Sequence, residues 1–515
     1  MMNEASKPTA NHEGELLATI LRHGLAQPDA PALTCNGQTM TWAELRETVL
    51  AAAGAITHHC DGAAGRIALL GTAGLGLTTA YLAIVAAGGS AVPLPVSAHR
   101  DALAGMLKDC DPALIFGQDG YADLPAADMA ARVVQLDATP EGAMPRDFLA
   151  GTRPLSAPVI PSPEAPFNII YSSGTTGRAK GIVHAHAMRY RQAARTLFGL
   201  GPESKMLLAT PLYSNTTLMP MLSALFHASH VVLMPKFDAE AYLALAEQYG
   251  ATHTMLVPVQ YQRILAATSF AKRDLSSFKV KQCTGAPLPA AAKRAIIEQW
   301  PGGFFEVYGL TEGGCTCILD AARHPEKAHT VGKPAAGNII RIIDDDGKDV
   351  APGGRGEVVG RSAMMMSGYF RNDEANRAFY WRDAEGRIFH RTGDIGMFDE
   401  DGFLVLLDRK KDMIISGGFN IYASDLEEKL LAHPDVIEAA VIAVPSEKWG
   451  ETPLGFVVAR PGADIEPETL RDWVNARLGR MQKVSAVELR ETLPRNSGGK
   501  VLKQELRKPF WENAK

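Results

Sequence analysis

Cysteine is scarce in this chain, and the six residues present (Cys35, Cys60, Cys110, Cys283, Cys315 and Cys317) are irregularly spaced over 515 positions. That spacing excludes a disulfide scaffold and fits a reducing compartment. Cys315-Thr-Cys317 has no second Cys/His pair at zinc spacing, so these are packing residues. Basic charge is not in excess either. A formal net charge of −5 provides no field for a nucleic-acid backbone. The first fifteen residues lack the basic and apolar regions of a signal peptide, which makes export unexpected and a cytoplasmic enzyme expected. Long apolar runs are also missing. Gly74 to Val96 carries no charge, but Gly88-Gly89, Pro93 and Pro95 interrupt it where a membrane span would continue, so it reads as a buried helix leading into a short strand. The Gly-Lys-Ser/Thr ending of a Walker loop is absent too, which argues against a P-loop kinase or GTPase.

What is present is the composition of a globular enzyme, 46% hydrophobic and 21% charged, in a chain too long for one ordinary core. From Trp42 to Val280, helical patterns alternate with short β-rich runs at Arg66 to Leu70, Ala113 to Phe116 and His230 to Leu233. This alternation predicts layered α/β subdomains with largely parallel sheets. Pro154 to Pro166 is an extended connector. Between Ile339 and Phe403, turn signals divide short strands into a small β-barrel-like unit. After the charged run Asp408-Arg-Lys-Lys-Asp412 a small α+β segment begins. There Ser424-Asp-Leu-Glu427 reads as a helix-capping box, Val436 to Val444 and Leu454 to Ala459 as strands, and Leu470, Trp473, Val474 and Leu478 as a helical face.

The densest chemistry lies in Tyr171-Ser-Ser-Gly-Thr-Thr-Gly-Arg-Ala-Lys180-Gly. Two glycines permit close backbone approach, four hydroxyls donate, and a lysine supplies a mobile charge. Apolar runs at Phe167 to Ile170 and Gly181 to Val183 predict a loop held between two strands, a grip for a polyphosphate. Further along come Gly285-Ala-Pro287, Tyr308-Gly-Leu-Thr-Glu312, Arg391-Thr-Gly-Asp394, Asp408-Arg409-Lys-Lys-Asp-Met-Ile-Ile-Ser-Gly-Gly418 and Leu493-Pro-Arg-Asn-Ser-Gly-Gly-Lys500. Taken in order, these segments resemble the adenylate-forming superfamily of acyl-CoA synthetases, adenylation domains and luciferases, and the resemblance covers nearly the whole chain.

The resemblance implies a large N-terminal domain, residues 1–408, that binds ATP and the acyl group. It further implies a hinge at 409–411 centred on Lys411 and a mobile C-terminal lid, 412–515. Ser173, Gly174, Thr175, Thr176, Gly177 and Lys180 would hold the β- and γ-phosphates; Thr311 would bind the α-phosphate and Glu312 would hold Mg²⁺. Gly285, Ala286, Pro287 and Tyr308 would form the adenine slot, and Asp394 with Arg409 would bind the ribose. Lys500 would carry adenylation, its ammonium bridging the attacking carboxylate and the α-phosphate. Rotation of the lid would then present Gly417 and Gly418 to CoA, with Trp449 and Lys483 as further CoA contacts. Met481-Gln-Lys-Val484 stands where relatives often have aromatic-Lys-x-Pro, which leaves Lys483 as the local phosphate partner. The acyl pocket would comprise Tyr213, Ser214, Asn215, Gln260, Thr284, Val307, Gly309 and Gly314, with Ser214 where many relatives place a histidine. These polar groups suggest acceptance of a hydroxylated or otherwise functionalised acid, with Gly313 and Gly314 leaving room. No carrier domain follows Lys500, so CoA is the expected acceptor and a separate acyl carrier protein the alternative. Acetylation of Lys500 by an acetyltransferase, reversed by a deacetylase, would remove its charge. The implied reaction is ATP-dependent ligation of a carboxylic acid to CoA through an acyl-adenylate, releasing AMP and pyrophosphate.

Overall fold

The computed structural model describes residues 12–62, 64–118, 132–136, 144–172, 179–416, 419–479, 482–495 and 499–512. Backbone packing divides the chain into two units. One comprises Met1–Ala328, Ala335–Asn338 and Arg361–Tyr380, the other His329–Pro334, Ile339–Gly360 and Trp381–Lys515.

The first unit is built on two sheets. Strands of one run in the order Thr316–Asp320, Gly303–Gly309, Val280–Cys283, His253–Leu256, Lys205–Leu208, His230–Leu233, Pro31–Cys35 and Gln38–Thr41. The six inner strands are mutually parallel, Thr316–Asp320 and Gln38–Thr41 flank them antiparallel, and the short strand Lys333–Pro334 lies beyond Thr316–Asp320 as the ninth. Parallel strands need helical crossovers, and the helices Asn215–Phe226, Ala239–Tyr249 and Ala290–Gln299 provide them. The second sheet orders Gly368–Tyr369, Lys180–Ala185, Pro166–Ser172, Ser90–Pro93, Arg66–Leu70, Leu114–Gly117 and Arg132–Gln135. Leu75–Ala86 is the helix expected from the charge-free run. All twelve of its residues are buried, and Thr79 satisfies its hydroxyl on the Leu75 carbonyl at 2.8 Å. It is a core helix because it has no polar face to turn outward. Among the described residues no helix is long and apolar enough to cross a membrane.

In the second unit, Ile339–Ile343, Gly356–Arg361, Ile388–Phe398, Tyr380–Arg382 and Leu404–Arg409 form a five-stranded sheet. The long hairpin Val436–Ser446 and Gly450–Ala459 anchors another, flanked by Ile414–Ser416, Phe419–Ile421 and Ala486–Leu489. The expected capping box at Ser424 is not formed. The helix starts one residue earlier, at Ala423, so Ser424 lies inside it and donates to the Leu407 carbonyl. Glu427 instead accepts from Val441 N at 2.7 Å and pairs with Lys503 at 2.6 Å. A buried carboxylate takes the stronger charged partner available to it.

Candidate active site

In a parallel sheet, every loop leaving the C-terminal ends of the strands emerges on one edge. Register sets the first-unit residues there: Cys283 stands opposite Glu306, and Met255 opposite both Leu208 and Gln282. The loops that follow carry Ala209 to Asn215, Val257 to Gln260, Thr284 to Pro287 and Leu310 to Glu312. Four separate sequence segments thus share one rim. Gly285 adopts a positive φ of 92°, and the Thr284 hydroxyl donates to the Val307 carbonyl at 2.7 Å, tying the two strand exits together. Ala286 is half-buried, Pro287 is exposed, and Tyr308 is half-buried on its strand.

The phosphate-grip segment has the predicted hairpin, with Ser172 paired across from Lys180. Ser173, Gly174, Thr175, Thr176 and Gly177 lie outside the described residues. Lys180 Nζ sits 5.2 Å from the centroid of the Tyr369 ring, a cation–π distance, and the Tyr369 hydroxyl donates to Glu312 Oε1 at 2.8 Å. The expected phosphate lysine and the expected metal carboxylate are therefore joined through one phenol. Burial and the Glu312 charge push the Tyr369 hydroxyl well above its ordinary pKa, so it remains a donor. No sequence signal marked Tyr369, because only the pairing of Gly368–Tyr369 with Lys180–Ala185 brings it there. Gly313 serves the same packing. A Cβ on it would stand 1.8 Å from the Met364 carbonyl at a φ of +69°, so this glycine admits the 361–380 segment rather than leaving room for substrate. Gly314 is buried at φ 88°.

Magnesium chemistry fits this carboxylate. Mg²⁺ typically takes one or two protein carboxylates and completes its shell with phosphate oxygens and water. Glu312 offers such a carboxylate, and among the described residues no cluster of three or more His, Cys, Asp or Glu would build an all-protein site. The cysteines are free thiols, and burial raises the Cys317 thiol pKa, as expected of packing residues.

The polar acyl-pocket residues are largely satisfied from within. Ser214 caps the helix Asn215–Phe226, accepting from Thr216 N at 3.2 Å. Gln260 is buried, its oxygen accepting from Val257 N at 3.1 Å and its nitrogen donating to the Ala209 carbonyl at 2.8 Å. Gln260 therefore braces two strand exits through both ends of its amide. Asn215 Oδ1 accepts from Arg189 at 2.7 Å, and the Tyr213 hydroxyl lies 3.0 Å from Ser97 Oγ. Gly309 ends its strand exposed and Val307 is half-buried.

In the second unit, Asp394 and Arg409 are cross-strand partners, and Arg409 Nε reaches Asp394 Oδ1 at 2.6 Å. Arg409 also donates to the Thr392 carbonyl at 3.3 Å. Lys500 belongs to the same neighbourhood. Burial above all, then Arg409, lower its pKa to about 8, with Lys411 acting in the same direction, while Asp394 and Asp412 oppose the shift. Arg507 donates to the Lys411 carbonyl at 3.1 Å and pairs with Asp412 at 3.1 Å. Trp449 is exposed at the hairpin turn, with Lys448 Nζ 4.8 Å from its ring centroid. Lys483 donates to the Asn475 and Leu478 carbonyls, capping the helix Pro467–Asn475. Gly417 and Gly418 lie outside the described residues.

A doubly layered α/β unit with hydroxyl, lysine and carboxylate groups on one rim, and a second unit carrying an Asp–Arg pair beside a depressed lysine, define a nucleotide-using enzyme that activates an acid. Two family models match the chain: AMP-binding enzyme over residues 21–370 and AMP-binding enzyme C-terminal domain over residues 425–500. The chain belongs to the AMP-binding enzyme family. It is 32% identical over 494 residues to a feruloyl-CoA synthase of Amycolatopsis sp., covering 95% of this chain and 98% of that protein. ATP-bound MatB from Rhodopseudomonas palustris superposes with a TM-score of 0.89 at 28% identity, over 98% and 100% of the two chains. The o-succinylbenzoate CoA synthetase MenE from Bacillus subtilis, in complex with its acyl-adenylate intermediate, gives a TM-score of 0.84 at 25% identity, over 95% and 97%. The class is that of AMP-forming acid–thiol ligases, which consume ATP and CoA.

Proposed function

We propose that this enzyme joins an aryl or aryl-substituted carboxylic acid to CoA by way of an acyl-adenylate. The observation that carries the proposal is the Lys180–Tyr369–Glu312 chain on the rim of the first unit. It pre-assembles a cation for the β- and γ-phosphates and a metal-binding carboxylate, charges that offset the polyphosphate while the acid meets the α-phosphate. Bound Mg²⁺ would neutralise phosphate charge during the displacement. Thr311 holds the α-phosphate, Tyr308 and the Gly285-Ala286-Pro287 turn hold the adenine, and Asp394 with Arg409 holds the ribose. Lys500, protonated below about pH 8, bridges the carboxylate and the phosphorus. Residues 412–515 act as the lid and pivot at Lys411. Trp449 offers an exposed ring to the CoA adenine. An aryl acid is favoured because the Ser214 and Thr284 hydroxyls, the Asn215 oxygen and both ends of the Gln260 amide already have partners inside the protein, and because relatives are named for feruloyl and o-succinylbenzoyl groups. The enzyme works in the cytoplasm, and acetylation of Lys500 would silence its first half-reaction. Incubation with ATP, Mg²⁺ and a panel of acids, with and without CoA, tests the proposal. Aryl-CoA with AMP and pyrophosphate is expected. Adenylate that passes only to an acyl carrier protein would instead identify a carrier-loading enzyme.

A further inference from the structure

Arg189 is fully buried, and among the described residues none of its partners is a carboxylate. Its Nε donates to Asn168 Oδ1 at 2.8 Å, its Nη1 to Gln192 Oε1 and Asn215 Oδ1, each at 2.7 Å, and its Nη2 to His184 Nδ1 at 3.0 Å. Burial pulls its pKa down to about 10, which leaves the group ionised at neutral pH. A buried charge that meets only neutral acceptors is a cost to folding, because hydrogen bonds replace part of its hydration but supply no counter-charge. Local rules broken at a folding cost point to function.

The direction of the relay follows from the donors. His184 Nδ1 faces Arg189 at 3.0 Å and the Asn168 amide nitrogen at 3.3 Å, so Nδ1 must accept. The ring proton is then on Nε2, which donates to the Thr311 carbonyl at 2.7 Å. Protonating Nδ1 would set both donors, the Asn168 amide and the Arg189 guanidinium, against it. Burial and Arg189 accordingly hold His184 neutral, well below the usual imidazole range. One guanidinium therefore reaches two parts of the rim, Thr311 through His184 and Asn215 directly. His184 lies on the same strand as Lys180, so this network and the phosphate lysine share one rigid element.

We propose that Arg189 and His184 are positioning residues for acid activation, the unpaired guanidinium supplying positive potential behind Thr311 while its fork fixes the Thr311 loop against the acyl wall at Asn215. This inference rests on Thr311 serving the α-phosphate and Asn215 the acyl group. In a dry interior such a field is weakly screened, and it lowers the energy of a transition state in which negative charge gathers on the α-phosphate.

The decisive variant is Gln192→Glu. It is isosteric and places a counter-charge on Nη1 without replacing His184, Thr311 or Asn215. Full-length enzyme would be assayed for acid-dependent exchange of pyrophosphate into ATP, for CoA transfer from a supplied acyl-adenylate, and for thermal midpoint. Gln192→Glu should keep or raise the midpoint, lower the exchange kcat roughly tenfold, and leave CoA transfer within about twofold. His184→Leu should lower exchange by about 10- to 100-fold, and His184→Gln, which keeps a donor for the Thr311 carbonyl, should recover most of it. If Gln192→Glu raises the midpoint with exchange unchanged, or if both half-reactions fall together in the His184 variants, the residues are structural and the inference is wrong. Wild-type enzyme that exchanges pyrophosphate with no acid would instead overturn the proposed function itself.

Discussion

The surroundings of Lys500 set the protonation on which its proposed role depends. Burial and the guanidinium of Arg409 disfavour its charged form, lowering the pKa to about 8, while Asp394 partly restores it. In the proposed role the protonated amine bridges two anions, so acid activation should decline as pH rises through about 8, and CoA transfer from a supplied adenylate should show no such limb. Lys500→Arg should remove the limb, since a guanidinium stays charged; Lys500→Ala should abolish activation and spare transfer. A limb that survives in Lys500→Arg would assign it to another group. Ser214 carries a different prediction. As the N-cap of Asn215–Phe226 it should cost about 1 kcal/mol on change to Ala and only a few tenths on change to Gly, measured by urea unfolding. Selectivity between aryl and hydroxylated acids should stay constant in both variants. At this scale the sequence exposed residues whose chemistry is written in adjacent letters, such as Lys180 in its glycine-rich loop and Thr311-Glu312. Tyr369, His184 and Arg189 were not legible, because a lone Tyr, His or Arg acquires meaning only when strand pairing brings it to Glu312, Thr311 or Asn215.

The strands show why some elements were readable and others misleading. Apolar runs flanking the phosphate loop marked the hairpin Pro166–Ser172 and Lys180–Ala185, and the breakers at Gly88, Gly89 and Pro93 ended the buried helix Leu75–Ala86 before it could become a span. Ser424 to Glu427 had the letters of a capping box, yet Leu407 and Lys503, distant in sequence, captured its side chains. Local pattern loses where a tertiary partner offers more. The strand leading into the proposed adenine slot rests on such a tertiary pair: Lys293 on Ala290–Gln299 and Glu306 on Gly303–Gly309 form a buried ion pair, with Lys293 also donating to the Ala328 carbonyl at 2.7 Å. Lys293→Met strands the Glu306 carboxylate and should cost about 3–5 kcal/mol, much of it recovered in Lys293→Met combined with Glu306→Gln. Equal destabilisation in the single and double variants would show that helix packing, not charge, is what the pair secures.

Across the whole molecule, the first unit presents Thr311, Glu312 and Lys180, and the second presents Asp394, Arg409 and Lys500. The proposed catalytic cycle draws on both sets. The pivot proposed at Lys411 lies in a turn whose carbonyl is held by Arg507, and its own N–H engages no backbone acceptor among the described residues. Lys411→Pro should therefore fold, because fixing φ there sacrifices no backbone bond. Acid activation should persist while CoA transfer is lost; equal rates for the two steps would move the pivot elsewhere. In the proposed cycle, activation of a carboxylic acid as its adenylate precedes the arrival of any thiol. Its most direct measurement is exchange of labelled pyrophosphate into ATP with purified enzyme and Mg²⁺, without CoA, across aryl, hydroxylated and alkyl acids. Exchange that depends on the acid, is fastest with an aryl acid and disappears in Lys500→Ala is the predicted result. Exchange independent of any acid, or none until CoA is added, would contradict it.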